Sequence, residues 1–345
     1  MLRQRLENYF TRRWYERSAK HWLWGPLSRF YESKVRQKRQ VYLQGSSMQS
    51  ATALPPVLVV GNLTVGGTGK TPLIIFLVEQ LRDQGMRVAV LSRGYGGTSR
   101  LFPIQVDATS TPKTVGDEPY MIYQRTGIHL AVDPDRYRGL CYLAQQADFD
   151  LVLSDDGMQH YRLPRQYEIA VIDGSRGLGN GACLPAGPLR EPLERLDSVN
   201  AIVVNGTASD QLQQQLAGAK PPVFTMYLQP EQFVDLSGNP TALDTFQGTT
   251  DIQAIAAIGN PQRFFAALAD LGIECQTRSF SDHHDYSLAD VKPWLGKPLI
   301  MTEKDAVKLA KVLPPETHGQ AFYLAVSARL DEGLINDILT RFKGA

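Results

Sequence analysis

One octapeptide constrains this chain more than any other feature. Thr64-Val-Gly-Gly-Thr-Gly-Lys-Thr71 follows the apolar run Val57-Leu-Val-Val60 and precedes an apolar-periodic stretch from Thr71 to Gln84, which Gly85 stops. An apolar run, a glycine-rich turn and a helix in that order predict a buried parallel strand whose helix crosses back over the sheet. The loop is a phosphate cradle. Backbone N–H groups of Thr64, Val65, Gly66, Gly67, Thr68 and Gly69 and the helix N-terminus face an anion, Lys70 reaches the outer phosphates, and the Thr71 hydroxyl suits Mg²⁺. Thr64 stands where such loops have their first glycine, but Gly66, Gly67 and Gly69 still supply the backbone freedom.

The same alternation continues downstream. Short strands are expected at 87–92, 128–132, 151–154, 168–172 and 201–205, with helical stretches between them, which predicts an α/β fold with a P-loop NTPase-like, doubly wound parallel sheet. Two extended segments, 222–228 and 232–236, then precede Gly238-Asn-Pro240, and a second α/β pattern starts at Ile252 with a strand, a helix over 263–271 and a strand at 298–302. The expected organisation is a helical segment over 1–50, a phosphate-binding domain over 51–221, a strand linker over 222–245 and a smaller α/β domain over 246–345. A metal partner is expected at the end of a strand beside the loop. Leu151-Val-Leu-Ser-Asp-Asp156 supplies doubled carboxylates, so Asp155 or Asp156 is favoured, with Asp173 at the end of Ile169–Asp173 as the other candidate. Thr302-Glu-Lys-Asp305 lacks the residue that a guanine-reading motif places between its Lys and Asp, which points to ATP.

Composition matters most at the start of the chain. The net charge is +1, yet the first forty residues carry eleven basic and three acidic side chains, a local +8 that leaves −7 for the remainder. Three of the four tryptophans lie there, and Leu2, Leu6, Tyr9, Phe10 and Trp14 share a helical face, followed after Gly25-Pro26 by a second stripe of Leu27, Phe30, Tyr31 and Val35. Basic and aromatic side chains on one amphipathic element suit a membrane interface. A hairpin packed on the protein's own core and a nucleic-acid-binding arm remain alternatives. No run of eighteen apolar residues is present, Met1-Leu-Arg-Gln-Arg-Leu-Glu7 lacks an apolar stretch of signal-peptide type, and Cys141, Cys183 and Cys275 form neither a zinc spacing nor a disulfide framework, so a cytoplasmic setting rather than secretion is expected.

Several further segments go together. Val60–Pro72, Ser92-Arg-Gly-Tyr-Gly96, Val115-Gly-Asp-Glu-Pro119, Ser154-Asp-Asp-Gly-Met-Gln-His160, Leu184–Pro192, Ala257-Ile-Gly-Asn-Pro261, Phe280-Ser-Asp-His283 and Thr302–Lys308 occur in order over about 60 to 308. In this series the chain resembles the tetraacyldisaccharide 4′-kinases of lipid A biosynthesis. The resemblance implies transfer of the γ-phosphate of ATP, with Mg²⁺, to the 4′-hydroxyl of a tetraacyl glucosamine disaccharide 1-phosphate. It also implies peripheral binding at the cytoplasmic face of the bacterial inner membrane, two domains joined by a strand linker, and no nucleic-acid or obligate protein partner. Asp117 looks like the family's catalytic carboxylate and His283 like its partner from the second domain, although the adjacent His284 is not separated from it by sequence. Arg190 would contact the transferring phosphoryl group alongside Lys70, Glu191 would join the metal site, and Arg93 and Tyr95 would contact the acceptor.

On the residues alone, Asp117 could simply cap the helix near Pro119, and Arg190 with Glu191 could be a surface ion pair. The histidines of Asp282-His-His-Asp285 point apart and do not suggest a metal site. A membrane-associated P-loop switch ATPase that recruits a protein would share the loop and the basic N-terminus, but it leaves the Asp-His motif of the second domain without a purpose.

Overall fold

The fold was analysed in a computed structural model, which describes residues 13–15, 24–44 and 54–343. Most of the first expected stripe (Leu2, Leu6, Tyr9 and Phe10) lies outside the described residues. Helix α1 (Gly25–Gln44) is followed by β1 (Val57–Gly61), α2 (Lys70–Asp83), β2 (Val88–Ser92), β3 (Ile104–Gln105), α3 (Asp117–Thr126), β4 (His129–Val132), α4 (Arg136–Gln146), β5 (Leu151–Asp155), β6 (Tyr167–Asp173), β7 (Ala201–Asn205) and α5 (Asp210–Leu216). Then come β8 (Val223–Asp235), β9 (Pro240–Thr241), β10 (Ile252–Ala256), α6 (Pro261–Asp270), β11 (Cys275–Ser279), β12 (Leu299–Thr302), α7 (Glu303–Leu309), β13 (Ala321–Leu330) and α8 (Gly333–Lys343).

The strands form one sheet in the order β11-β10-β12-β13-β8-β7-β6-β1-β5-β2-β4-β3, with β9 beside β8. β1 lies between β5 and β6, buried along its whole length, as a continuous apolar strand covered on both faces must be. Leu73, Leu77 and Leu81 of α2 fill one face, while Leu140 and Leu143 of α4 fill the other. The second half repeats the three layers on a smaller scale. Phe264, Phe265 and Leu268 of α6 pack on one side of β10, and Ala306 and Leu309 of α7 pack on the other.

Between the halves, β8 runs parallel to β7 and antiparallel to β13, pairing from Met226↔Leu330 to Asp235↔Phe322. The two extended segments expected at 222–228 and 232–236 are therefore one strand. Pro230, which interrupts the pattern in sequence, sits at a register shift opposite Ala325 and Val326, where a missing N–H is tolerated. The expected unit 246–345 also differs at its end. Leu334, Ile335 and Ile338 of α8 join the first half's core beside α2, because β13 carries the chain back across the seam.

Helix α1 packs with one side only. Ser28 Oγ donates to the Cys183 carbonyl at 2.7 Å, Tyr31 to the Arg190 carbonyl at 3.1 Å, and Arg36 pairs with Glu32 and Glu194. Leu27, Phe30 and Val41, which share the opposite side of the helix, are each at least half exposed. Packing on the body and an open apolar face thus coexist in one helix. No helix among the described residues is long and apolar enough to cross a membrane.

Candidate active site

The loop after β1 is held by its own side chains. Asn62 Nδ2 donates to the carbonyls of Thr64 (2.7 Å) and Gly66 (3.3 Å), and its Oδ1 accepts from Lys70 Nζ at 3.2 Å. Gly69 adopts φ +94°, and a Cβ there would lie 2.1 Å from Asn205 Nδ2, which donates to the Thr68 carbonyl. Only glycine satisfies both demands. The turn starts α2 with Lys70 and Thr71 in its first helical turn, so the free N–H groups of that helix face the same space.

The strand-end carboxylates separate into two environments. Asp155 is wholly buried. Burial, followed by the negative charge of Glu118, raises its pKa against the opposing pull of Lys70 and Arg136. Ser92 Oγ donates to its Oδ2, while Oδ1 is buried without a partner. Asp156 turns the chain at φ +49°, a conformation Asp tolerates better than most residues. Its carboxylate meets Lys70 Nζ at 3.5 Å and Arg190 Nη1 at 3.1 Å. Burial favours protonation, but those two cations hold its pKa well below the usual carboxylate range. Asp173, the other candidate, spends Oδ1 on Ser175 and Arg176 in a local turn and Oδ2 on Asn260. Hard oxygen donors at Asp155, Asp156 and Thr71 suit Mg²⁺, which usually takes one or two carboxylates with substrate phosphates. The unpartnered Oδ1 of Asp155 fits such a cation.

Glu191 departs from expectation. It is 1% exposed, Oε1 accepts from Gln159 at 2.8 Å, and Oε2 accepts from Tyr161 and pairs with Arg195 at 3.2 Å. Both oxygens are spent, so in this arrangement Glu191 braces the loop through Gln159, which also reaches the Asn62 carbonyl.

The second constellation joins the two halves. Asp117 opens α3, and His283 comes from the loop after β11. His283 Nδ1 lies 3.6 Å from Asp117 Oδ2, and Lys308 Nζ lies 3.4 Å from the same oxygen. Burial works against ionisation of Asp117, but the adjacent His283 ring, which stands just beyond hydrogen-bond distance, and the charges of Lys308 and Lys304 lower its pKa overall. Tyr95 packs edge-on against the His283 ring with centroids 4.7 Å apart. Arg93, in the same loop, is exposed. His284 turns elsewhere: it stacks on Phe280 and approaches Asp290 at 3.4 Å. The geometry therefore separates the two histidines that sequence could not.

A cleft of about 440 Å³ opens between the two halves. The phosphate loop with Lys70 and Thr71 lines one part, and Glu118 and Lys304 line another. Its walls include Ile75, Phe76 and Met121 from the first half and Ile258, Phe264 and Val326 from the second. At its mouth the halves touch through backbone, since a Cβ on Gly259 would fall 2.1 Å from the Gly67 nitrogen. Asn260 Nδ2 reaches Asp173 at 3.1 Å, and Arg263 bonds Asn205. Sequence reasoning missed Asn62, Asn205, Arg136, Lys304 and Lys308. A polar residue ending an apolar strand marks Asn205, and the lysines lie in the 302–308 segment already singled out.

Comparison with known proteins gives a consistent result. The family model described as tetraacyldisaccharide-1-P 4′-kinase matches residues 20–343. The chain is 45% identical to a tetraacyldisaccharide 4′-kinase of Pseudomonas putida, covering 91% of this chain and 90% of the relative. For the same-named protein of Hahella chejuensis the identity is 43%, with 96% of both covered. Among solved structures, LpxK from Aquifex aeolicus in complex with ATP superposes with a TM-score of 0.75 at 27% identity, covering 93% of this chain and 99% of that one.

Proposed function

Because the chain belongs to the tetraacyldisaccharide 4′-kinase family, we infer how its own residues carry the reaction of that family. The chain transfers the γ-phosphate of ATP to the 4′-hydroxyl of a tetraacyl glucosamine disaccharide 1-phosphate. The observation that carries the residue assignment is the cleft between the halves, in which Lys70 and Thr71 of the first half meet a wall made by Glu118 and Lys304, whose neighbours Asp117 and His283 form the second constellation.

Phosphoryl transfer is mainly positioning and charge neutralisation. In this reading the backbone of 64–69 and the α2 N-terminus seat the phosphates of ATP, and Lys70 and Arg190 neutralise charge on the group in transit. The apolar walls with Asn205, Asn260 and Arg263 take the nucleoside. Asp117 accepts the proton of the acceptor hydroxyl as the new P–O bond forms and the bond from the γ-phosphorus to the β-phosphate oxygen breaks, releasing ADP. His283 orients that carboxylate, and Arg93 and Tyr95 flank the acceptor. Asp155, Asp156 and Thr71 would hold Mg²⁺, which when bound adds positive charge beside the phosphates. Burial raises the Asp155 pKa, so a cation there would also keep that carboxylate ionised.

The open face of α1 suits peripheral binding at the cytoplasmic face of the inner membrane. Its basic side chains favour an anionic surface by about 1 kcal/mol each. The test is incubation with γ-labelled ATP, Mg²⁺ and tetraacyl disaccharide 1-phosphate, followed by lipid extraction. Label in the lipid is the expected result. ATP turnover that ignores the lipid but responds to a protein would favour a switch ATPase instead.

A further inference from the structure

The assignments above leave the segment Thr302–Lys308 without a role, although its two lysines face the Asp117–His283 contact. Asp305 fastens this turn from beneath. It is fully buried and accepts from the Ala257 N–H, from Tyr286 Oη at 3.1 Å and from Thr302 Oγ1 at 2.6 Å. Lys304 and Lys308, one helical turn apart, therefore project from a fixed base on the same side of α7.

Lys304 is itself largely buried, and its ammonium has three acceptors. Glu118 Oε1 lies at 3.2 Å, Asp282 Oδ1 at 3.3 Å and His283 Nε2 at 3.3 Å. An ammonium offers three donors and no lone pair, so an imidazole nitrogen that bonds it must present its own lone pair. The proton of a neutral His283 then sits on Nδ1, the atom that faces Asp117.

We propose that Lys304 is a positioning residue that holds His283 as the neutral tautomer protonated on Nδ1, so that the ring donates to Asp117 and leaves the carboxylate as the proton acceptor. This rests on the reading that Asp117 and His283 act together, and it adds which atom carries the proton. The surroundings fit. Asp117 and Glu118 on α3 and Asp282 on the ring's own loop would draw a second proton onto His283, while Lys304 and Lys308 oppose it and Tyr95 covers the ring edge. The backbone that carries the ring is pinned: His283 has φ +58°, and its backbone N–H donates to Asp282 at 3.0 Å. Lys308 ties the neighbouring His284 carbonyl at 3.0 Å. When the acceptor hydroxyl loses its proton, the O–H bond to the sugar breaks and a new O–H bond forms on Asp117, while Nε2 stays occupied by Lys304.

The experiment records long-range ¹H–¹⁵N spectra of the histidine rings in the labelled full-length protein, with His283 assigned by its loss in His283→Gln. The wild-type protein is expected to show neutral, Nδ1-protonated His283 at pH 7. Lys304→Met should free Nε2 and convert the ring to the Nε2–H form. It should lower kcat about tenfold to a hundredfold, below the full span of general acid–base effects, with the KM for ATP changed less than about twofold. Lys304→Arg should restore the tautomer and most of kcat. A wild-type Nε2–H tautomer or imidazolium overturns the proposal, as does a Lys304→Met protein that keeps the wild-type tautomer and kcat. If Lys304→Met fails to fold, the wild-type spectrum and Lys304→Arg still decide. The expected tautomer together with full turnover in Asp117→Asn would support the Lys304 assignment and refute the catalytic reading on which it builds.

Discussion

Gly259→Ala probes whether the contact between the halves is the arrangement in which the chemistry occurs. Gly259 does not have a positive φ, so alanine is compatible with its backbone. The difficulty is space. Its Cβ would stand 2.1 Å from the Gly67 nitrogen and 2.8 Å from its Cα, whereas ordinary contact begins at 3.4 Å. Both neighbours are backbone, so no side chain can swing aside, and the loops must separate by about 1.3 Å, enough for a displacement at the phosphates to cost about a hundredfold in rate. That shift would also stretch the Asn260–Asp173 and Arg263–Asn205 bonds, each worth about 1 kcal/mol. The expected result is a kcat/KM for ATP reduced about a hundredfold, or about 2.7 kcal/mol of transition-state stabilisation. A fall of several degrees in Tm should accompany it. The assay is steady-state kinetics at saturating acceptor lipid beside a thermal melt. Gly218→Ala, where an added Cβ meets nothing within 4 Å, is the control and should change neither. A Gly259→Ala protein with kcat/KM within about twofold of wild type would refute the inference that this contact belongs to the reacting state.

Four other outcomes rest on the same structure. Lys70→Ala should abolish transfer without changing the melting curve, since Lys70 contacts Asn62 and Asp156 and fills no core; Thr71→Ala should chiefly raise the Mg²⁺ requirement, read by titrating metal at fixed ATP. Replacing Leu27, Phe30 and Val41 together with Ser should weaken flotation with anionic vesicles while leaving ATP binding intact, because Ser28 and Tyr31 still fasten α1 to the body. His160 is held near pKa 4 by burial and by Arg136 and Arg93. Between about pH 6.5 and 4 the unfolded chain binds a proton there that the folded chain does not, so stability is present above this range and lost as pH falls through it. After discounting for partial solvent exposure the loss is about 1 to 2 kcal/mol, seen in urea melts and absent from His160→Gln.

What could be read from sequence was set by local chemistry. The loop at 64–71 declares itself because glycine, lysine and threonine must follow one another for the cradle to form, and β1, β2, β5, β6 and β7 declare themselves as apolar runs buried on both faces. The pairing of β8 with β13 was not visible, because it joins residues about a hundred positions apart and Pro230 disguises one strand as two. The partners of Glu191 were not visible, because its spacing beside Arg190 says nothing of Gln159, Tyr161 and Arg195, which fold back onto its two oxygens. Asp117 and His283 were legible only through the family resemblance. A cap and a loop histidine look ordinary until the two halves are brought together. Lys304 was noticed for a motif it fails to make, and its three acceptors come from two stretches of chain far from it in sequence.

The most direct test of the central claim compares wild type with Asp117→Asn, which keeps the side chain's size and removes its charge. γ-Labelled ATP, Mg²⁺ and tetraacyl disaccharide 1-phosphate are supplied at saturation, and label in the extracted lipid is followed with time. The account predicts that Asp117→Asn lowers kcat by about 10²- to 10⁴-fold, the range of a lost general base, with KM for ATP nearly unchanged. Labelling of the lipid by Asp117→Asn at the wild-type rate would contradict it.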